Sequence, residues 1–169
     1  MDLNSIKIIL ALGFTCFCAI GLINECLKEY KPVKKHHRKK YKPKIPYTKL
    51  IKEVVHWTSP HLREKSIKYY PKIKVTYREH RTVNGRYHSA KQTIEIFVYP
   101  SVSLKEVVKT TLHEIRHYMQ HKTDPDFNQY QRFSAKLGYD KNPFEVDSRK
   151  YASKHLAECL NHLKSNNLI

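Results

Sequence analysis

Residues 113–117 read HEIRH, and His113, Glu114 and His117 have the types and spacing of a metal-hydrolase centre. On a helix, residues i and i+4 stack one turn apart, so both imidazoles can reach one ion at about 2.0–2.1 Å. Glu114 then projects to the side, where a carboxylate can take a proton from water held by that ion. The competing reading is a solvated pair of histidines. A longer pattern, H-E-x-x-H-x-x-G-x-x-H, would supply a third ligand at position 123. It is broken here at Gln120 and Thr123. His121 shares the histidine face but lies about 12 Å from His113 along the axis, too far to share an ion. It is expected in the outer shell or in solvent.

A tetrahedral catalytic site needs a third protein ligand, and the segment NPFEVDSRKYASKHLAECLNHL offers one. At helical spacing Glu145 falls on the same stripe as Ala152, Leu156, Cys159 and Leu163, while Lys150, Lys154 and Glu158 fall opposite. An unpaired carboxylate on a buried stripe is costly, and a cation would satisfy it. The local alternative is that Glu145, three residues after Asn142, completes a capping box. Asp147 faces the solvated side and is a poor ligand candidate.

The elements that must position these residues follow from the pattern around them. Ser103 and Glu106 form a capping box, so a helix starts at Leu104 and carries HEIRH in its third turn. On that helix Val107, Val108, Thr111, Ile115 and Met119 gather around Leu104 as a core face, and His113 and His117 lie nearly opposite. The histidine face carries no Lys or Arg, as a cation site requires. Before it, KIKVTYREHR (72–81) and QTIEIFVYP (92–100) alternate as two half-buried strands, with Asn84-Gly85 between them as a tight-turn dipeptide. Residues 48–69 read as a helix interrupted near Ser59-Pro60. A further helix is expected over 127–137, stopped by Gly138, and the last one starts at Asn142-Pro143 and runs to about Leu163.

The 169 residues allow one domain with an appendage. The net charge is +17, and residues 28–49 hold nine Lys and one Arg against one Glu. Three prolines and dense like charge oppose both helix and strand there, so residues 28–46 read as a basic linker suited to phosphate-bearing surfaces. Residues 8–23, IILALGFTCFCAIGLI, carry no charge. They read as a membrane anchor, with a cleaved signal and a buried core helix as the alternatives. An anchor followed by basic residues places the C-terminal part in the cytoplasm, and a cleaved signal would make the protein secreted. The division is therefore 1–27 anchor, 28–46 linker and 47–169 folded domain. Cys16, Cys18, Cys26 and Cys159 have neither disulfide-framework nor C-x-x-C spacing. No recognition-helix or RNP-type motif is visible, so nucleic acid is not an expected partner.

A strand pair, a helix bearing HEIRHYMQH and a later helix bearing EVDSRKYAS together resemble the zincin metallopeptidases whose third ligand is a glutamate, and most of all the small ImmA/IrrE-type domains. Two features depart from that pattern. Arg116 stands where a glycine is usual, and no leucine-rich, proline-terminated segment follows the last helix. The resemblance spans roughly residues 47–165. It implies an α+β zincin-like fold, with a small antiparallel or mixed sheet on the HEIRH helix and a C-terminal ligand-bearing helix, preceded by a transmembrane helix. It also implies His113, His117 and Glu145 as Zn2+ ligands, Glu114 as general base, and a peptide or protein substrate laid along an edge strand, here QTIEIFV. His121, Tyr139, Arg149 and Tyr151 are the candidates for stabilising an oxyanion. The expected activity is that of a membrane-tethered zinc metallopeptidase. The alternative is an inactive zincin-like binding module whose basic arm contacts anionic lipid or nucleic acid.

Overall fold

The computed structural model describes residues 46–169 apart from residue 81. The anchor read over 1–27 and nearly all of the linker read over 28–46 lie outside the described residues. No helix among the described residues is long and apolar enough to cross a membrane.

The domain opens with α1 (Tyr47–Trp57) and α2 (Ser59–Glu64), separated at Thr58 where Pro60 starts a new helix. Three short strands follow, β1 (Lys72–Thr76), β2 (Gly85–His88) and β3 (Thr93–Phe97). Then comes the 20-residue α3 (Leu104–Thr123). Its predicted capping box is formed, with the Ser103 side chain accepting from the Glu106 N–H. A 3-10 turn (Pro125–Gln129), α4 (Tyr130–Leu137) and a second 3-10 turn (Tyr139–Lys141) lead to α5 (Pro143–Ser165). Gly138 ends α4 with φ 80°, a conformation that favours glycine. The architecture is α+β with a small mixed sheet.

Both expected strands form, within 72–81 as β1 and within 92–100 as β3, but they are not a hairpin about Asn84-Gly85. The sheet has three strands in the order β1-β3-β2, with β1 parallel and β2 antiparallel to β3. Asn84 is drawn into the sheet, where its carbonyl accepts from the Phe97 N–H and its side chain accepts from the Tyr99 hydroxyl. Gly85 is the first residue of β2, and its glycine identity serves a close approach. A Cβ there would lie 2.6 Å from Thr110 Cγ2, 3.0 Å from Ile96 Cδ1 and 3.2 Å from Glu114 Cγ. The β2–β3 turn is instead a 3-10 turn (Ser89–Lys91) closed by Gln92 in the left-handed region. As a result QTIEIFV is the central strand, not the edge expected to receive substrate. The edges are β1 and β2.

One face of the sheet packs Ile94, Ile96 and Val98 against α3 and joins a core with Leu50, Ile51, Val54, Leu112, Ile115 and Leu163. The other face carries Glu95, which is fully buried. It accepts from Thr76 at 2.7 Å and pairs with Lys74 at 2.8 Å and Arg86 at 2.8 Å. A buried carboxylate is tolerated only when paired in this way. The most extensive helix packing joins α3 to α5, and it brings the two sequence-predicted site segments together.

Candidate metal centre

HEIRH occupies α3 from His113 to His117, and α5 lays Glu145 across it. The ring nitrogens His113 Nε2 and His117 Nε2 are 3.1 Å apart. Glu145 Oε1 is 3.0 Å from His117 Nε2, and Oε2 is 3.2 Å from His113 Nε2. One atom from each of these three residues lies within 4.8 Å of the others, a cluster that could hold a metal ion. Four-coordinate zinc with bonds of about 2.0–2.2 Å sets its donors roughly 3.3–3.6 Å apart. The three side chains would need to open by only a few tenths of an ångström.

Hydrogen bonding around the cluster sets its proton state. Gln120 donates its amide N–H to the Phe144 carbonyl at 3.0 Å and to Asp147 Oδ2 at 2.7 Å. Its oxygen is thereby turned toward His117 Nδ1, 2.9 Å away. An oxygen acceptor requires a proton on Nδ1, so the Nε2 lone pair is available to the cluster. Asp147 is fixed in turn by Arg116 Nε at 2.6 Å. Burial pushes the His117 imidazole toward its neutral form, but the Glu145 carboxylate outweighs this and raises its pKa. Burial likewise raises the Glu145 pKa, and His113, His117 and Tyr130 more than reverse it. A single proton on His117 Nε2 satisfies Oε1 alone. Glu145 Oε2 is buried with no hydrogen-bond partner of acceptable geometry, although His113 is close. A cation in place of that proton would satisfy every donor atom at once.

The two readings of Glu145 are thereby separated. Asn142 caps α5 by accepting from the Phe144 N–H at 3.0 Å, and its own N–H goes to the Gly138 and Tyr139 carbonyls. Glu145 takes no part in the cap and turns inward. Glu114 is buried beside the cluster; burial raises its pKa, opposed by the nearby His113 and His117 and by the Tyr87 N–H. The histidine face, expected to lie away from the core, is largely covered because α5 and β2 close over it.

A cleft of about 630 Å³ opens onto these residues. One wall is β2, through Gly85, Arg86 and Tyr87, and the other is the 125–139 segment, through Phe127, Tyr130 and Tyr139. The four candidates for oxyanion stabilisation separate clearly. His121 lines the cleft and bonds the Tyr87 hydroxyl at 2.8 Å, and Tyr139 stands at the opening, half exposed. Arg149 approaches Glu145 Oε2 at 3.8 Å. Tyr151 points elsewhere, into a ring cluster with His61 and His155. Tyr130, which donates to Glu145 Oε1, carried no signal in the sequence. Gln120 carried one, since i+3 from His117 is a neighbouring position on a helix.

Residues 74–162 match the family model described as a protein of unknown function (DUF3920). The chain belongs to that family. The matched region runs from β1 to α5 and includes His113, Glu114, His117 and Glu145. Neither a curated protein nor a solved structure is significantly similar to it.

Proposed function

We propose that this chain is a zinc-dependent metallopeptidase, with His113, His117 and Glu145 as ligands and Glu114 as general base. The observation that carries the reading is the convergence of two imidazole nitrogens and a buried carboxylate beside a second buried carboxylate at the foot of a cleft. Two imidazoles and one carboxylate suit zinc among the common metals. A bound ion would polarise the scissile carbonyl and lower the pKa of water. Glu114 would accept the proton of the attacking water and return it to the leaving amine. Its burial favours this exchange by raising the carboxyl pKa above its ordinary value.

A peptide substrate is favoured by β2. This strand pairs with β3 on one side only and borders the cleft. An extended chain can add to such an edge through its own backbone groups. The uncharged run 8–23 and the basic segment 28–46 would tether the domain to a membrane, with the domain on the cytoplasmic side.

The test begins with metal content of the purified full-length chain beside Glu145→Ala. One zinc per chain, lost or much weakened in the variant, supports the ligand set. Peptide hydrolysis that falls by about 10²–10⁴ in Glu114→Gln with zinc retained supports the base. No bound metal after zinc is supplied would sink the proposal. Stable zinc with no hydrolysis across a peptide library would leave a binding module.

A further inference from the structure

Among the described residues, six large hydrophobic side chains stand well exposed, and three of them belong to one place in the fold. Tyr69 is 78% exposed, Tyr70 51% and Tyr77 39%, and they flank the two ends of β1. Around them lie Lys49, Lys52, Lys68, Lys72, Lys74 and Arg78, all exposed. The two groups line the β1 edge, with Tyr70 and Tyr77 on its α1 side and Lys72 and Lys74 on its Glu95 side. Lys52 and His56 of α1 share a groove with Tyr70, Pro71 and Ile73, and Thr48 at the start of α1 bonds the Tyr77 hydroxyl at 3.4 Å. Acidic side chains are few here. Glu53 is half-buried and engaged by His162 at 3.0 Å, Glu79 is exposed, and the buried Glu95 draws in Lys74.

We propose that this β1-edge face rests on an anionic lipid surface. Tyrosine suits that role, since its amphipathic ring sits at headgroup depth; the Tyr70 hydroxyl is itself held by Ser59 at 2.8 Å. Lysine suits it too, because its compact, mobile charge responds to a diffuse negative potential, whereas base or phosphate readout favours the arginine fork. Five of the six cations are lysines. The face also takes up, at Lys49 and Lys52, the charge of the basic segment that precedes it in sequence. The proposal is independent of the metal site, yet it has a consequence for it. β1 and β2 are opposite edges of a three-stranded sheet, roughly 10 Å apart. Lipid contact along β1 therefore leaves the β2 cleft open to water and to an aqueous substrate.

Amine-reactive labelling of the full-length chain, read residue by residue by mass spectrometry, tests this. The chain is mixed with vesicles of phosphatidylcholine alone or with added phosphatidylserine. Labelling of Lys52, Lys68 and Lys72 is expected to slow by about threefold or more with phosphatidylserine and to recover at high salt. Lys136 and Lys141, on the cleft side, should label equally in both. Equal labelling of the β1-edge lysines in the two vesicle types, or equal shielding of Lys136 and Lys141, would overturn the proposal. So would an RNA oligonucleotide that protects the β1-edge lysines better than phosphatidylserine does, which would assign the face to nucleic acid.

Discussion

At the scale of single residues, the candidate site depends on a side chain outside its three candidate ligands. Gln120 holds His117 in one tautomer because its own amide is pinned by Phe144 and Asp147. Replacing it by leucine keeps the volume and removes the acceptor. Ser148 Oγ, 3.2 Å from His117 Nδ1, remains as a partial substitute. Zinc affinity of Gln120→Leu, measured by competition with a chelator, is expected to fall toward the lower end of the 10–100-fold range typical of such outer partners. Unchanged affinity would mean that Gln120 only packs. The convergence of His113, His117 and Glu145 was legible in the sequence because helical spacing fixes which residues share a face, and a glutamate on an apolar stripe demands a partner. Tyr130 was not legible, because it opens α4 and the 3-10 turn that aims this helix at Glu145 has no periodicity to encode it.

At the scale of elements, the helices were readable from caps and prolines and β1 and β3 from alternation, but β2 and the strand pairing were not. Asn84-Gly85 has the composition of a hairpin turn, but short-range turn preference gave way to a tertiary demand for a residue without a Cβ against α3. Gly85→Ala tests that demand. Thr110 and Glu114 sit on a rigid helix, so β2 must retreat, at a cost of about 1–3 kcal/mol. A urea midpoint close to that of the parent would show that the strand is free to move. The parallel pairing of β1 with β3 also had no local signal, since alternation records which residues face inward but not which strand lies alongside. Glu95 offers a second test on the same sheet. Burial raises its pKa, but bonds from Lys74, Thr76, Arg86 and His88 hold it well below the usual value of 4.5. A carboxylate depressed in the folded state stabilises above its unfolded pKa and loses that contribution as pH falls toward the folded one. Stability by urea melts is therefore expected to drop on acidification below about pH 4.5, and to drop less steeply in Glu95→Gln. Parallel curves for the two proteins would exclude Glu95 as a source of the acid sensitivity.

At the scale of the whole molecule, metal binding at the candidate cluster would be coupled to the fold, because its three residues come from the two helices that pack most extensively on each other. His113 and His117 are contributed by α3 and Glu145 by α5, and the buried Glu145 Oε2 lacks a hydrogen-bond partner. An ion that binds the folded chain and not the unfolded one stabilises by mass action, about 2.7 kcal/mol at a free concentration 100 times Kd. For a domain of this size that corresponds to a rise in Tm of roughly 10 °C. The rise should scale with the logarithm of zinc concentration, disappear with a chelator and be absent in Glu145→Ala. Glu114→Gln separates structure from chemistry, because it removes the proton acceptor and leaves all three donor atoms in place. It is expected to keep the full thermal shift while losing hydrolysis. A thermal shift that persists in Glu145→Ala would place the stabilising ion elsewhere, with the partly exposed His61 and His155, whose ring centroids lie 4.7 Å apart, as the first place to look.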